Sequence, residues 1–349
     1  MSISDYELIE AWKKVLKLSR LEPGQNVTIL TSAATHPQTL ACALIATQAM
    51  GAVVNRLDLP PVNGEKAFSR DSLSYLGTTP LTGNRSAIAA LKESDLVLDL
   101  MTLLFSPEQH DILKSGTKIL LAVEPPEVLA RLVPSREDRT RVLSAASKIG
   151  RAREMRVHSH AGTSLVCPLG EFGPTAEYGF VDEPGRWDHW PSGFALTYPN
   201  DRTAHGTIVI DRGDILLPQK RYVSDPIQLT VEDGYATRIE GGVDAALLRD
   251  YMETFGDPEG YAISHIGWGL QPRARWSTLG LYDREATIGM DARAFDGNFL
   301  FSLGPNNEGG GTRTTTCHID IPLRACTVEL DGTPVVKEGR VIHTLNDKS

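Results

Sequence analysis

NVTILTSAATHPQTLACALIATQAMGAVVNRLDL, residues 26–59, decides the fold of the first half of the chain. Val27, Ile29 and Leu30 make a short apolar run that reads as a buried strand. HPQTLACALIATQAMGA then reads as a helix, with Pro37 near its start and Gly51 near its end. VVNRLDL reads as a second strand. Upstream, residues 5–19 place Tyr6, Ile9, Trp12, Val15 and Leu16 at the helical period. Downstream, DLVLDLM (95–101) and KILLAV (118–123) are short apolar runs of the kind found in parallel strands. This alternation predicts an α/β domain with a mainly parallel sheet over residues 1–152. It has neither a GxGxxG after its first strand nor a GxxxxGK[ST], so a nucleotide site is not indicated.

The second half has another character. MRVHSHAGTSLVCPL, HGTIVID, DILLP, IQLTVEDGYATRIEGG and CTVELDGTPVVKEGRVI are short strand-like runs punctuated by D-G and G-D turns. One helix, VDAALLRDYMETFGDP (243–258), interrupts them. Residues 153–349 are therefore expected to form an α+β domain rich in antiparallel strands, with the boundary near 150–155.

Composition narrows the function classes. The chain has 349 residues, 41% hydrophobic and 23% charged, as in ordinary globular proteins. Its formal charge of −9 argues against nucleic acid or an anionic membrane as partner. No run of about 18 apolar residues exists to span a bilayer, and the N-terminus does not read as a signal peptide. Cys42, Cys167, Cys317 and Cys326 form no CxxC, which suits reduced thiols in a cytoplasmic protein.

The chemistry-bearing stretch is TTTCHIDIPL (314–323). In a strand, His318 and Asp320 point to the same face. Such a pair either ligates a metal or is structural, the carboxylate orienting the imidazole. ISHIGWGLQP (263–272) adds His265 in an apolar segment, read as running into a Gly-rich turn where another backbone comes close; a core histidine bonded to a carbonyl is the plain alternative. NNEGGGTRTTT (306–316) reads as a loop wrapped beside a site. GRWDHWPSG (185–193) sets His189 between Trp187 and Trp190, as a general base or as a packed ring. His158 and His160 mimic a metal-binding H-x-H and are read as structural.

FGPTAEYGFVDEP (172–184), ISHIGWGLQP, FLFSLGPNNEGGG (299–311) and TTTCHIDIPLRACTVELDG together resemble the metallo-aminopeptidases of the aminopeptidase T type. That resemblance matches Glu177, His318 and Asp320 to ligands of a two-metal site. It also shows departures. His265 stands where the peptidases have a second Glu, a further His falls near Leu300 or Phe301, and the ligand Tyr has no clear counterpart. What remains is His265, His318 and Asp320, the two-His, one-carboxylate set of non-haem Fe(II) oxygenases. The whole chain resembles the 2,5-dihydroxypyridine 5,6-dioxygenase family. This implies Fe(II) on those three residues, O2 and a hydroxypyridine as substrates, ring opening to N-formylmaleamate in nicotinate or nicotine breakdown, and a homo-oligomer. It further implies His189 as the catalytic base, with Glu177, Arg293, Ser302, Leu104 and Phe105 binding substrate. Arg313 is a rival for the Arg293 role, and core packing is the plainer reading of Leu104 and Phe105. A metallo-aminopeptidase-like hydrolase is the alternative function.

Overall fold

The computed structural model describes residues 3–60, 79–103, 106–284 and 286–342; Leu104 and Phe105 lie outside them. The first helix, Asp5–Leu18, starts with Ser4 and Glu7 capping each other's backbone amides. Leu8, Trp12, Val15 and Leu16 are buried, whereas Tyr6, expected on the same face, is 73% exposed. The helix Pro37–Ala49 begins with Pro37 in its first turn, and Gly51, at φ +81°, turns the chain into the next strand.

The predicted strands are present as Asn26–Thr31, Val53–Asp58, Leu96–Asp99 and Lys118–Leu121. All pair in parallel, in the spatial order 53–58, 26–31, 96–99, 118–121. Leu96–Asp99 and Lys118–Leu121 are buried along their whole length, as strands covered on both faces must be. A fifth parallel strand, Trp187–His189, follows Lys118–Leu121 in the sheet, through the register Ile119↔Trp187 and Leu121↔His189. It comes from beyond the expected boundary at 152–153.

The rest of the chain supplies antiparallel structure. One sheet has eight strands, the hairpin Ile227–Glu232 and Tyr235–Gly241 lying at one edge. Its D-G turn has Asp233 at φ +47° and Gly234 at φ +79°, the two left-handed residues that a two-residue hairpin turn demands. The expected helix over 243–258 stops at Glu253. Gly256 takes φ +60°, and Asp257 then caps a separate 3₁₀ turn, Pro258–Tyr261.

A second antiparallel sheet runs Ile319–Leu323, Phe299–Leu303, Ile263–Gly269, Phe194–Thr197, Thr175–Glu177. It corrects one expectation. ISHIGWGLQP is no turn: Ile263–Gly269 is a wholly buried strand. Close approach does explain its glycines. A side chain at Gly267 would strike the Ala195 carbonyl, and one at Gly269 the Phe295 carbonyl.

Candidate metal centre

His265 and Asp320 lie on two strands of this second antiparallel sheet, with Phe299–Leu303 between them, and His318 immediately precedes the Asp320 strand. Three ring and carboxylate atoms converge. His265 Nε2 stands 2.9 Å from Asp320 Oδ1, and His318 Nε2 stands 3.2 Å from the same oxygen. The two imidazole nitrogens are 3.3 Å apart. Ligands at 90° around a common ion, each about 2.1 Å from it, stand about 3.0 Å from one another; tetrahedral ligands stand about 3.4 Å apart. The observed spacings, 2.9, 3.2 and 3.3 Å, fall around the first value and below the second. All three residues are buried, and Asp320 Oδ1 has no aligned hydrogen-bond donor among the described residues. A buried oxygen without a donor, flanked by two imidazole nitrogens, fits a cation.

The carboxylate is held from behind. Arg293 Nε donates to Asp320 Oδ2 at 2.5 Å, and its Nη1 donates to the Ile288 carbonyl. Burial alone would raise the Asp320 carboxyl; the Arg293 guanidinium, with His318 and His265, overrides it and holds the group well below the usual carboxylate range. Burial likewise opposes charge on His318, but Asp320 and Glu308 raise its pKa. Arg293, expected to bind substrate, lines the pocket with its guanidinium committed to the carboxylate.

Ser302, also expected at the substrate, sits at an irregularity in the His265 strand. Ile263 pairs with Leu303 and Ile266 with Phe301, so the His265 strand carries one extra residue between them. At this bulge the Ser302 hydroxyl accepts from the His265 N–H at 2.9 Å and donates to the His265 carbonyl at 3.3 Å. The bulge swings His265 into line, and Ser302 replaces the ladder bonds that it breaks. Ser302 is not among the residues lining the pocket. Arg313 is not among them either. It binds Asp201 and the carbonyls of Gly304 and Ile263, pinning the glycine loop.

His189 faces the cavity from the parallel sheet. Its Nδ1 donates to the Pro191 carbonyl at 2.7 Å, because a carbonyl can only accept. Its Nε2 lies 2.5 Å from Glu177 Oε2. Two acceptors cannot meet at that distance, so one proton lies between them. Burial lowers the His189 pKa, but the Glu177 carboxylate and then Asp188 raise it further, and the net shift is upward. A lone neutral imidazole was expected; the structure has a Glu177–His189 pair. Its ring neighbours also differ from expectation. Trp187 stands edge-on at 5.3 Å and Phe194 at 5.4 Å, while Trp190 turns away onto Trp12 and the Leu132 carbonyl.

Glu177, Asp188 and His189 form a second group that could hold a metal. Asp188 is already committed. Its Oδ2 accepts from the Tyr178 amide at 2.9 Å and from Arg186 at 2.6 Å, and its Oδ1 accepts from the His189 amide.

Residue types alone did not reveal Glu308 and Tyr198. Glu308 stands on the glycine loop with Oε1 3.7 Å from His318 Nδ1, and Tyr198 donates to its Oε2 at 3.1 Å. The signal was the glycines: a side chain at Gly309 would run into the Tyr198 ring. Trp187, Phe194, Leu196, Ile288, Met290 and Leu300 complete an apolar wall around the polar atoms. His158 and His160 face Glu329 and Glu338 at an exposed edge, apart from the pocket.

Comparison with known proteins bears on this arrangement. The family model described as 2,5-dihydroxypyridine 5,6-dioxygenase matches residues 7–343. A curated protein of that name from Pseudomonas putida KT2440 is 53% identical over 342 residues, covering 98% of each chain. The solved structure of 2,5-dihydroxypyridine dioxygenase from Pseudomonas putida KT2440 matches with a TM-score of 0.96 at 52% identity, over 99% of this chain and 100% of that one. Wild-type AmpT from Thermus thermophilus matches with a TM-score of 0.61 at 15% identity, over 97% and 99% of the two chains, and so shares the fold.

Proposed function

The chain belongs to the 2,5-dihydroxypyridine 5,6-dioxygenase family and is an enzyme of this type, and from that premise we propose that it opens the ring of 2,5-dihydroxypyridine between C5 and C6 with O2. Both oxygen atoms enter the product, so substrate plus O2 gives N-formylmaleamate and one proton. His265, His318 and Asp320 hold Fe(II) in this reading. The observation that carries it is the convergence of their three donor atoms, all within 3.3 Å of one another, on a buried pocket.

Bound there, Fe(II) would supply the electron exchange that makes O2 reactive towards the ring. The chain's own residues do the rest. Arg293 occupies Asp320 Oδ2 and leaves Oδ1 to face the two histidines. Trp187, Phe194, Ile288, Met290 and Leu300 flank a planar ring and exclude water. The ring hydroxyls are para, so the substrate cannot chelate through neighbouring oxygens, and its orientation rests on these walls and on the polar groups. The Glu177–His189 pair, once it has released its shared proton, takes the proton of a ring hydroxyl at His189 Nε2. Glu308 faces His318 Nδ1 and favours the tautomer that leaves Nε2 free for the metal.

A hydrolase of the aminopeptidase type would use two metals and no O2. The commitment of Asp188 to Tyr178, Arg186 and its own chain speaks against a second site at the neighbouring group. The test is metal content per chain together with O2 uptake. One Fe(II) per chain and one O2 consumed per ring opened are expected. Two metals per chain, or turnover unaffected by removing O2, would sink the reading.

We also propose a cytoplasmic homo-oligomer. Four buried, unpaired cysteines support the compartment, and no helix among the described residues is long and apolar enough to cross a membrane.

A further inference from the structure

Arg293, which grips the candidate metal ligand Asp320, stands on Met290–Ala294, a helix of five residues. One turn of helix has almost no stability of its own. Nor is it capped locally. Its N-cap is Gly289, held at φ +84°, which has no side chain to offer the free amides. The acceptor arrives from the other half of the chain. Glu124, three residues past the end of the parallel strand Lys118–Leu121, reaches across with its carboxylate buried. Its Oε1 accepts from the Met290 amide at 2.6 Å, across 166 residues of sequence. Its Oε2 accepts from the Thr287 hydroxyl at 2.6 Å and from the Ile288 amide at 3.3 Å. The Thr287 oxygen in turn accepts from the Gly289 amide at 3.0 Å.

We infer that Glu124 is a positioning residue for the metal centre: it caps the Arg293 helix from the parallel sheet and so fixes which oxygen of Asp320 faces the two histidines. The inference rests on the metal-site reading given above. The route is continuous. Glu124 fixes the turn Thr287–Met290. The Ile288 carbonyl of that turn accepts from Arg293 Nη1, and Arg293 Nε holds Asp320 Oδ2. Ile288 and Met290, on the same turn, are walls of the pocket. Burial pushes the Glu124 carboxyl upward, so the site bears a cost for holding a carboxylate there; three donors to two oxygens offset it.

Fe(II) binding to the whole chain, measured anaerobically as a dissociation constant, tests this, with Zn(II) as a second probe and the melting temperature recorded alongside. Glu124→Gln keeps the size but turns one acceptor into a donor facing an N–H. It should weaken metal binding by about 10-fold, the lower end of what loss of an outer partner of a ligand does. Thr287→Val, which removes one of the three donors, should act in the same direction with a smaller loss. In an Arg293→Lys background, Glu124→Gln should add less than about twofold, because two residues acting through one path are not additive. A lower melting temperature with unchanged metal affinity would overturn the inference, as would an equal loss in both backgrounds. Failure of the functional reading looks different: a wild-type chain that binds metal yet opens no ring loses that reading, while the affinity comparison still decides the role of Glu124. A wild-type chain that takes up neither metal overturns both.

Discussion

At the scale of single residues, the site separates holding from proton transfer. His265, His318 and Asp320 offer three atoms to one point, so each is expected to be indispensable. Changing His265 to Glu should abolish ring opening without creating a peptidase, because the aminopeptidase resemblance puts a further ligand histidine at Leu300 or Phe301, where this chain has none; wild-type turnover in that variant would show that His265 is no ligand. The Glu177–His189 pair is expected to govern the pH profile. Because the His189 pKa is raised, its proton is held to higher pH than in an ordinary histidine. The base limb of turnover should therefore rise with pH through that raised value. In Glu177→Gln the limb should move to lower pH, and a limb that stays put would exclude the pairing. Stability carries the complementary sign. The contribution of the pair is complete below the unfolded histidine value of about 6.5 and is lost as pH rises through the folded value. His189→Ala should keep its metal and lose roughly 10²–10⁴-fold in turnover, checked by metal analysis beside kinetics.

Among elements, the bulge in Ile263–Gly269 is the device that aims His265. Ser302→Ala would leave the buried His265 amide without its acceptor, which costs about 1–3 kcal/mol. A lower thermal midpoint together with weaker metal binding is expected; an unchanged midpoint would mean that the bulge closes by itself. Such devices mark the limit of what a sequence shows. The D-G turn at Asp233–Gly234 is legible because its two left-handed residues announce themselves locally. So is the strand–helix–strand run at residues 26–58, where periodicity, Pro37 and Gly51 agree. The shared face of His318 and Asp320 was legible from their spacing, and the approach of His265 to them only through a family resemblance. The contacts of Ser302, Arg293 and Glu308 were not legible, because each partner is distant in sequence: His265 for Ser302, Asp320 for Arg293, and Tyr198 for Glu308. The glycines of ISHIGWG misled for the same reason, since the backbone they admit belongs to Ala195 and Phe295.

For the molecule as a whole, the pocket lies where two kinds of sheet meet. His189 comes from the parallel sheet, and the candidate metal ligands come from strands of the antiparallel one or, for His318, from the residue just before such a strand. We propose the change near residues 152–153 as the boundary of two units that interlock. A fragment spanning 153–349 would keep His265, His318 and Asp320 but strand Trp187–His189 without its partner Lys118–Leu121. It should bind metal weakly and open no ring, whereas a fragment with full affinity would show that the second unit suffices. The same pairing has a consequence for how the protein is made. On the ribosome the strand Lys118–Leu121 emerges well before Trp187–His189, its neighbour in the sheet. The intervening stretch of 65 residues takes several seconds to synthesise at about 5–20 residues per second. Through that interval a strand that the folded protein buries along its whole length is an open edge, the kind of surface that pairs with the wrong chain. Slower elongation between residues 122 and 186 should therefore lower the soluble yield more than the same delay placed after residue 189.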